Sequence, residues 1–245
     1  MKFSCIVATL NSSRFLARTL GSVLSQTYGG YEIIVQDGGS TDATPGILSR
    51  FAKRINARSE RDSGIYDAWN RALERASGDW AVFLGADDCL IDDGVLERSR
   101  ECLAALPPCV DFAYGNLALG KEGRPRTKIV NSLASMYSKF FVGIGLPFPA
   151  TFVRMETLRR YGFDPSYQIA GDLDFTARCL TGDNLARLPH YVAFMEHGGI
   201  SDSPTHASVM LEERSRVLRE HIIPKASLIA ECCLKYLGES DAVSD

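Results

Sequence analysis

Trp80-Ala81-Val82-Phe83-Leu84-Gly85-Ala86-Asp87-Asp88 is the stretch that decides the fold. Its first five residues are apolar without a break, the pattern of a strand covered on both faces. The run stops at Gly85, and two acidic side chains follow at once. The same device recurs toward the N-terminus. Phe3–Thr9 is β-rich and runs into Leu10-Asn11-Ser12, and residues 31–36 run into Asp37-Gly38-Gly39-Ser40-Thr41-Asp42. A short third strand over residues 55–60 leads to Arg61-Asp62-Ser63-Gly64. Between these strands lie helical patterns. Asn11 or Ser12 caps a helix through about residue 25 with Phe15, Leu16, Leu20, Val23 and Leu24 as its stripe. Asp42 caps a second helix through about residue 53. A third, over residues 65–76, carries Ile65, Ala68, Trp69, Ala72, Leu73 and Ala76 on one face and stops at Gly78.

Four such units in about ninety residues predict an α/β fold with a mostly parallel central sheet flanked by helices. Ligands of these sheets sit outside the carboxyl ends of the strands. Thr9, Asp37, Arg61, Asp62, Asp87 and Asp88 all fall at those ends. Beyond residue 110 the pattern is less regular. A strand over 110–116, a hairpin around Gly120-Lys121-Glu122-Gly123, a helix over 132–141 and a strand over 150–154 are expected. A helix over 172–180, a strand over 191–196, a loop over 198–204 and a long helical segment broken at Pro224 follow. We expect one domain over 1–205, divided into a nucleotide-binding half (1–115) and an acceptor-side half (116–205), then a C-terminal helical segment (206–245).

The 245 residues, 45% hydrophobic and 23% charged, suffice for a large buried core and exclude disordered and fibrous classes. A net charge of −3 leaves no electrostatic footprint for nucleic acid. Seven cysteines, an odd number with no C-x-x-C pair, argue against a zinc ribbon or a disulfide scaffold and for a reducing cytoplasm. The N-terminus reads as a first strand rather than a leader. No apolar stretch is long enough to span a bilayer.

Asp87-Asp88 can punctuate a loop, or two adjacent carboxylates at a strand end can hold a hard divalent ion whose shell phosphate oxygens complete. Asp37 can start the Gly38-Gly39 bend, or accept a hydrogen bond from a uracil-type imino group. Asp172 and Asp174 open the helix over 172–180; one can cap it while the other projects into the cleft. His197 can ligate a metal or be a structural histidine. Gly143-Ile144-Gly145 is no dinucleotide fingerprint, since Leu-Pro-Phe-Pro follows it. No G-x-S-x-G, H-E-x-x-H or phosphate-loop motif is present.

Taken in order, Ile6-Val7-Ala8-Thr9-Leu10-Asn11, Ser25-Gln26-Thr27-Tyr28, residues 32–42, residues 62–70, Ala76-Ser77-Gly78-Asp79-Trp80, Leu84-Gly85-Ala86-Asp87-Asp88 and Asp172-Leu173-Asp174 are similar to the family-2 glycosyltransferases of the GT-A fold, over about residues 3–201. The Gly64-Ile65-Tyr66-Asp67-Ala68 form and a late Gly-Gly-Ile-Ser resemble bacterial members that build surface polysaccharides. The resemblance implies that Thr9, Asp37 and Asp62 hold the nucleotide base and its surroundings. It implies that Asp88 ligates Mg2+ or Mn2+, with Asp87 on the ribose or the metal, and that Asp172 is the general base of an inverting transfer. His197 is a further metal candidate. Three departures stand out. Gln36 replaces the first of two aspartates, which bears on the donor base. Phe148-Pro149-Ala150-Thr151-Phe152 stands where relatives often have His-Gln. The Gln-x-x-Arg-Trp signature of processive relatives is absent, both tryptophans being Trp69 and Trp80, which favours single transfer.

The expected partners are a nucleotide-sugar donor, UDP-sugar favoured, and a glycan or lipid-linked acceptor. A second copy of the chain is a further candidate. Residues 211–237 interleave arginines and lysines with leucines and isoleucines, which permits peripheral contact with the inner face of a membrane. A sugar-nucleotide pyrophosphorylase lacks support from Thr9-Leu10-Asn11-Ser12-Ser13-Arg14, which is not a Gly-rich basic loop. A glycosidase also uses paired carboxylates, without nucleotide or metal. A degenerate binding module would hold nucleotide-sugar without turnover.

Overall fold

The computed structural model describes residues 1–198 and 204–237. Strands β1 (Phe3–Thr9), β2 (Tyr31–Asp37), β3 (Asn56–Ser59) and β4 (Trp80–Gly85) alternate with helices α1 (Leu16–Leu24), α2 (Thr44–Phe51) and α3 (Ile65–Leu73). Then come β5 (Cys89–Leu90), α4 (Val95–Ala104), β6 (Phe112–Lys121), β7 (Arg124–Ile129), α5 (Leu133–Phe140), β8 (Thr151–Arg154), α6 (Met155–Tyr161), α7 (Gly171–Cys179) and β9 (Leu185–Glu196). Helices α8 (Ala207–Val217) and α9 (Ala226–Lys235) follow, joined through a π turn and a 3-10 turn around Pro224.

The strands form one sheet in the order β3-β2-β1-β4-β8-β6-β9-β5, with β7 paired to β6. The α/β expectation is met, with one refinement. The sheet is parallel from β3 through β4 and again between β6 and β9. It is antiparallel where β8 meets β4 and β6, and in the β6–β7 and β5–β9 pairs. The reversal starts at β8, which enters after the 3-10 turn at Phe148–Ala150 rather than by a crossover helix. β9 begins at Leu185, earlier than its apolar run suggests, because Pro189 and His190 interrupt the sequence pattern while its register with β6 shifts past them.

The unbroken run of β4 has a direct structural cause. Trp80, Val82 and Leu84 point into one core with Phe3, Cys5, Val7, Ile33 and Val35, beneath α1 and α4. Ala81 and Phe83 point into the other, with Ile6, Ile34, Phe112, Tyr66, Trp69 and Phe175. That second core also takes in Val217, Ile222, Ile229 and Cys232, so the described part of the C-terminal segment packs on the same core as α3 and α7. The expected boundary at residues 115–116 falls inside β6, which makes that strand common to both halves.

The first helix starts later than expected. Neither Asn11 nor Ser12 caps it; residues 12–15 form a turn, and α1 begins at Leu16 without a side-chain cap. Asn11 adopts a left-handed conformation (φ 49°), and its Oδ1 accepts from Thr41 N at 2.9 Å and Asp42 N at 3.3 Å. It thus ties the loop after β1 to the loop after β2. Asp42 accepts from Thr44 N at 2.9 Å beside the start of α2, and from Ser13 N at 3.1 Å.

Candidate functional site

Thr9 and Asp37 are register partners at the carboxyl ends of β1 and β2, and Asp37 pairs with Ser59 at the end of β3. Asp37 is fully buried. Its carboxylate accepts from Ser59 Oγ at 2.5 Å, from Ser40 N at 3.1 Å and from the Ser40 hydroxyl. The turn role is therefore real, and Ser59 adds a cross-strand anchor. Thr9 is also buried, and its hydroxyl has no hydrogen-bond partner among the described residues. A buried orphan hydroxyl is costly, so a polar group near this strand end is needed to satisfy it. Asp62 folds over Gly38, where an added Cβ would stand 2.9 Å from its Oδ2. Burial and the nearby carboxylates of Asp67 and Asp37 raise its proton affinity.

Gln36 does not share this pocket. Neighbouring residues of a strand face opposite ways, and its amide oxygen accepts from Arg75 at 2.9 Å beneath the sheet. The departure at this position is thus met by Arg75, just beyond the end of α3.

Asp87 and Asp88 fold back over Gly85: Asp87 Oδ1 and Asp88 Oδ2 each lie 2.9 Å from the point where a Cβ would project. Any side chain at Gly85 would collide with both. Asp88 is buried and accepts from Gly85 N at 2.9 Å. Burial and the charge of Asp87 push its carboxyl up to about 7, while the amides of Gly85 and Glu196 oppose the shift. Asp87 is half-buried and also shifted upward, chiefly by burial. Among the described residues neither carboxylate forms an ion pair with a side chain. Arg18, whose charge acts on both carboxyls, instead donates to the Asp87 carbonyl at 2.7 Å and to Glu196 at 2.6 Å.

Glu196 closes this corner. It is buried at the end of β9 and accepts from Gly123 N at 3.1 Å and from Glu122 N as well as from Arg18. His197 follows it, its amide donating to Gly120 O at 2.7 Å. Among the described residues no trio of His, Cys, Asp or Glu side chains forms a ready-made metal cage. The Gly85 cradle with its two hard, uncompensated oxygen donors nevertheless suits a divalent cation that takes the rest of its shell from a ligand.

Asp172 and Asp174 both lie in the first turn of α7, and their surroundings differ sharply. Asp174 is buried, held by Arg178 Nε at 2.8 Å and His221 Nε2 at 3.2 Å. Asp172 is half-buried and has no ion pair among the described residues. Its Oδ1 accepts from Leu173 N at 2.8 Å and lies 3.4 Å from the Tyr66 hydroxyl. Burial pushes its carboxyl up to about 6, against the Leu173 amide, Tyr66 and the more distant charge of Arg214. Tyr66 reaches it because Gly171 carries no side chain; an added Cβ would stand 2.7 Å from the ring. Tyr66 belongs to the segment that begins at Asp62, so one loop and helix connect the β2 strand end to Asp172.

Sequence reasoning missed Arg18, Ser59, Tyr66 and Glu196. Tyr66 sat inside a quoted motif without an assigned role. The others carry no local signal, since their partners lie far away in the chain. The loop expected over 198–204 lies largely outside the described residues.

Carboxylates thus stand at the parallel strand ends, and a further half-buried carboxylate, Asp172, lies beside Tyr66 of α3. Residues 4–156 match Glycosyl transferase family 2, and the chain belongs to that family. It is 32% identical over 209 residues to a PGL/p-HBAD biosynthesis glycosyltransferase of Mycobacterium tuberculosis, covering 82% of this chain and 79% of that protein. It is 33% identical over 137 residues, 54% of each chain, to the putative teichuronic acid biosynthesis glycosyltransferase TuaG of Bacillus subtilis. Among solved structures, TarS of S. aureus in complex with UDP-GlcNAc shares the fold with a TM-score of 0.71 at 18% identity, over 98% of this chain and 74% of that one. The mannosyltransferase PcManGT from Pyrobaculum calidifontis, in complex with GDP-Man and Mn2+, gives 0.67 at 19% identity, over 98% and 70%.

Proposed function

We propose that this chain transfers one sugar, with inversion, from a nucleotide-diphospho-sugar to a hydroxyl of a glycan or lipid-linked acceptor. The observation that carries the reading is the contrast at α7. Asp174 is ion-paired with Arg178 and contacted by the His221 ring, whereas Asp172 has no ion pair among the described residues and its carboxyl is pushed up to about 6. A carboxylate with raised proton affinity is suited to general-base work near neutral pH. The acceptor oxygen attacks the anomeric carbon, its proton passes to Asp172, and the bond to the diphosphate breaks on the opposite face. The nucleoside diphosphate leaves with the electron pair. Inversion follows from the single displacement.

Thr9, Asp37 and Asp62 line the base and ribose end of the donor site. Asp37 would pair with an imino hydrogen, which favours a UDP-sugar, and the orphan Thr9 hydroxyl would gain its partner there. Asp88, with Asp87, would hold Mg2+ or Mn2+, and His197 is a secondary candidate; the ion supplies charge stabilisation for the departing diphosphate. Relatives named for PGL/p-HBAD and teichuronic acid biosynthesis support a lipid-linked or polymeric acceptor. Exposed Leu211, Ile223, Leu234 and Leu237 along the C-terminal segment support peripheral contact at the cytoplasmic face of a membrane, or with a second copy. Among the described residues no helix is long and apolar enough to cross a bilayer. We read residues 1–205 as one domain with 206–245 as its helical extension.

A panel of nucleotide-sugars scored by thermal shift, with and without manganese, tests the donor. A ligand at 100 times its dissociation constant stabilises by about 2.7 kcal/mol. Absence of any shift across UDP-, GDP- and dTDP-sugars would refute the reading, and release of inorganic diphosphate would favour a pyrophosphorylase.

A further inference from the structure

Glu213 lies on α8, in the C-terminal segment, and its side chain reaches back to the turn that precedes α7. Its carboxylate accepts from three consecutive backbone amides: Gln168 N at 2.6 Å, Ile169 N at 2.9 Å and Ala170 N at 2.8 Å. Convergent amides of this kind form an anion-binding nest, and here the anion is supplied by the chain itself. On the other side of the turn, the Ile169 carbonyl accepts from the Tyr66 hydroxyl at 2.5 Å. The same hydroxyl lies 3.4 Å from Asp172 Oδ1. The turn is thus gripped through its amides by α8 and through a carbonyl by α3, and Asp172 follows it directly.

We propose that Glu213 is a positioning residue for the transfer step: by holding the 168–170 turn it fixes the direction in which Asp172 faces the acceptor hydroxyl. The inference rests on Asp172 being the general base. Its physical basis is that hydrogen bonds to an ionised acceptor are about twice as strong as neutral ones. A displacement of about 1 Å in a reacting group can cost about 10²-fold in rate. Arg214, the next residue, places its charge near Asp172, so one turn of α8 addresses both the base and the turn beside it. A purely architectural Glu213 would anchor α8 without affecting the chemistry.

The test uses the full chain with Glu213→Gln, Glu213→Ala and Asp172→Asn. Amide hydrogen exchange over residues 166–173, donor affinity by calorimetry, and kcat and acceptor KM across pH are measured for each. Both Glu213 variants are expected to exchange faster at 168–170 and to keep donor affinity. Turnover should fall by about 10–100-fold, less for Gln, which retains one acceptor oxygen. The acid limb of the kcat profile should move to higher pH, because a loosened turn separates Asp172 from the Tyr66 hydroxyl that restrains its proton affinity. Faster exchange with unchanged kcat and an unmoved acid limb would overturn the proposal and leave Glu213 as an anchor. Unchanged exchange would overturn it too, since the three bonds would not hold the turn in solution. If Glu213→Ala loses donor binding, the isosteric Gln variant decides. Retained turnover in Asp172→Asn would instead remove the base assignment and the proposal with it, while the exchange data would still report on the turn.

Discussion

Thr9, Asp37 and Asp87 stand at or just beyond the ends of neighbouring parallel strands, aligned by a backbone ladder that runs the length of β1, β2 and β4. Asp172 has no such ladder. It is positioned by a tyrosine from α3, by the turn that Glu213 grips from α8, and by the start of a helix whose other carboxylate is locked in an ion pair. One part of the candidate site is thus set by main-chain geometry and the other by side chains reaching across long stretches of sequence. The difference has an energetic consequence. Single substitutions at strand ends should alter ligand contacts and leave the frame intact, whereas substitutions around α7 should separate into those that change chemistry and those that change folding.

The largest expected effect lies in the side-chain-built half. Asp172→Asn keeps shape and hydrogen-bonding capacity but removes basicity. We expect kcat to fall by about 10²–10⁴-fold with donor affinity nearly unchanged. The wild-type rate should fall as pH drops through about 6, where the base becomes protonated. Asp174→Ala is the counterpart. Removing one partner of a buried ion pair costs about 3–5 kcal/mol, and the low end applies because Arg178 remains about a quarter exposed. Its melting temperature should drop while kcat per folded molecule persists. If Asp174→Ala abolished turnover at full stability and Asp172→Asn stayed active, the assignments would have to be exchanged.

These two halves were also unequally legible in the sequence. The runs at Phe3–Thr9 and residues 80–84 are largely apolar on both faces because two cores flank the sheet, so the near-continuous apolar run locates the strands and hence Thr9, Asp37 and Asp87. The strand expected over 150–154 is present as β8, but its antiparallel insertion between β4 and β6 left no trace, since a four-residue run carries no signal for its direction or its neighbours. The expected N-cap at Asn11 or Ser12 failed because Asn11 was recruited by Thr41 and Asp42, a tertiary contact that outweighs a local preference. Which of Asp172 and Asp174 is free could not be read locally, because the answer depends on His221, on a helix well downstream.

In the strand-built half, Asp88→Asn should weaken metal-dependent donor binding by about 10–100-fold, the range that even outer-shell partners of a metal reach. Calorimetric titration of the donor with manganese and with EDTA checks this. Equal affinity in both conditions for the wild-type chain would break the metal role. Asp37→Asn should raise the donor dissociation constant by about 10-fold, the scale of one hydrogen bond to a charged group. Its effect on melting should be smaller than that of Asp174→Ala, because Ser40 and Ser59 still find an acceptor oxygen. An unchanged dissociation constant would return Asp37 to its turn role alone.

The smallest effect concerns stability, and its sign differs from that of the activity losses. Burial raises the Asp172 carboxyl from 3.8 to about 6 in the folded chain. Between those values the folded state binds more protons than the unfolded state, so this residue's contribution to stability declines as pH rises from about 4 to about 6 and stays unfavourable above. Asp172→Asn removes a buried charge at pH 7.5 and should therefore stabilise the chain. The shift corresponds to at most about 3 kcal/mol, and partial solvent access brings the expected gain nearer to about 1 kcal/mol. For a chain of this size that is a rise of about 2–4 °C in melting temperature. At pH 4 the wild-type carboxyl is largely protonated in the folded state, and the difference should nearly vanish. A variant that melts earlier than wild type at pH 7.5 would mean that the carboxylate is already stabilised by its surroundings. Asp172 would then be a structural cap like any other acidic residue in a first helical turn, and the distinction between it and Asp174 would collapse.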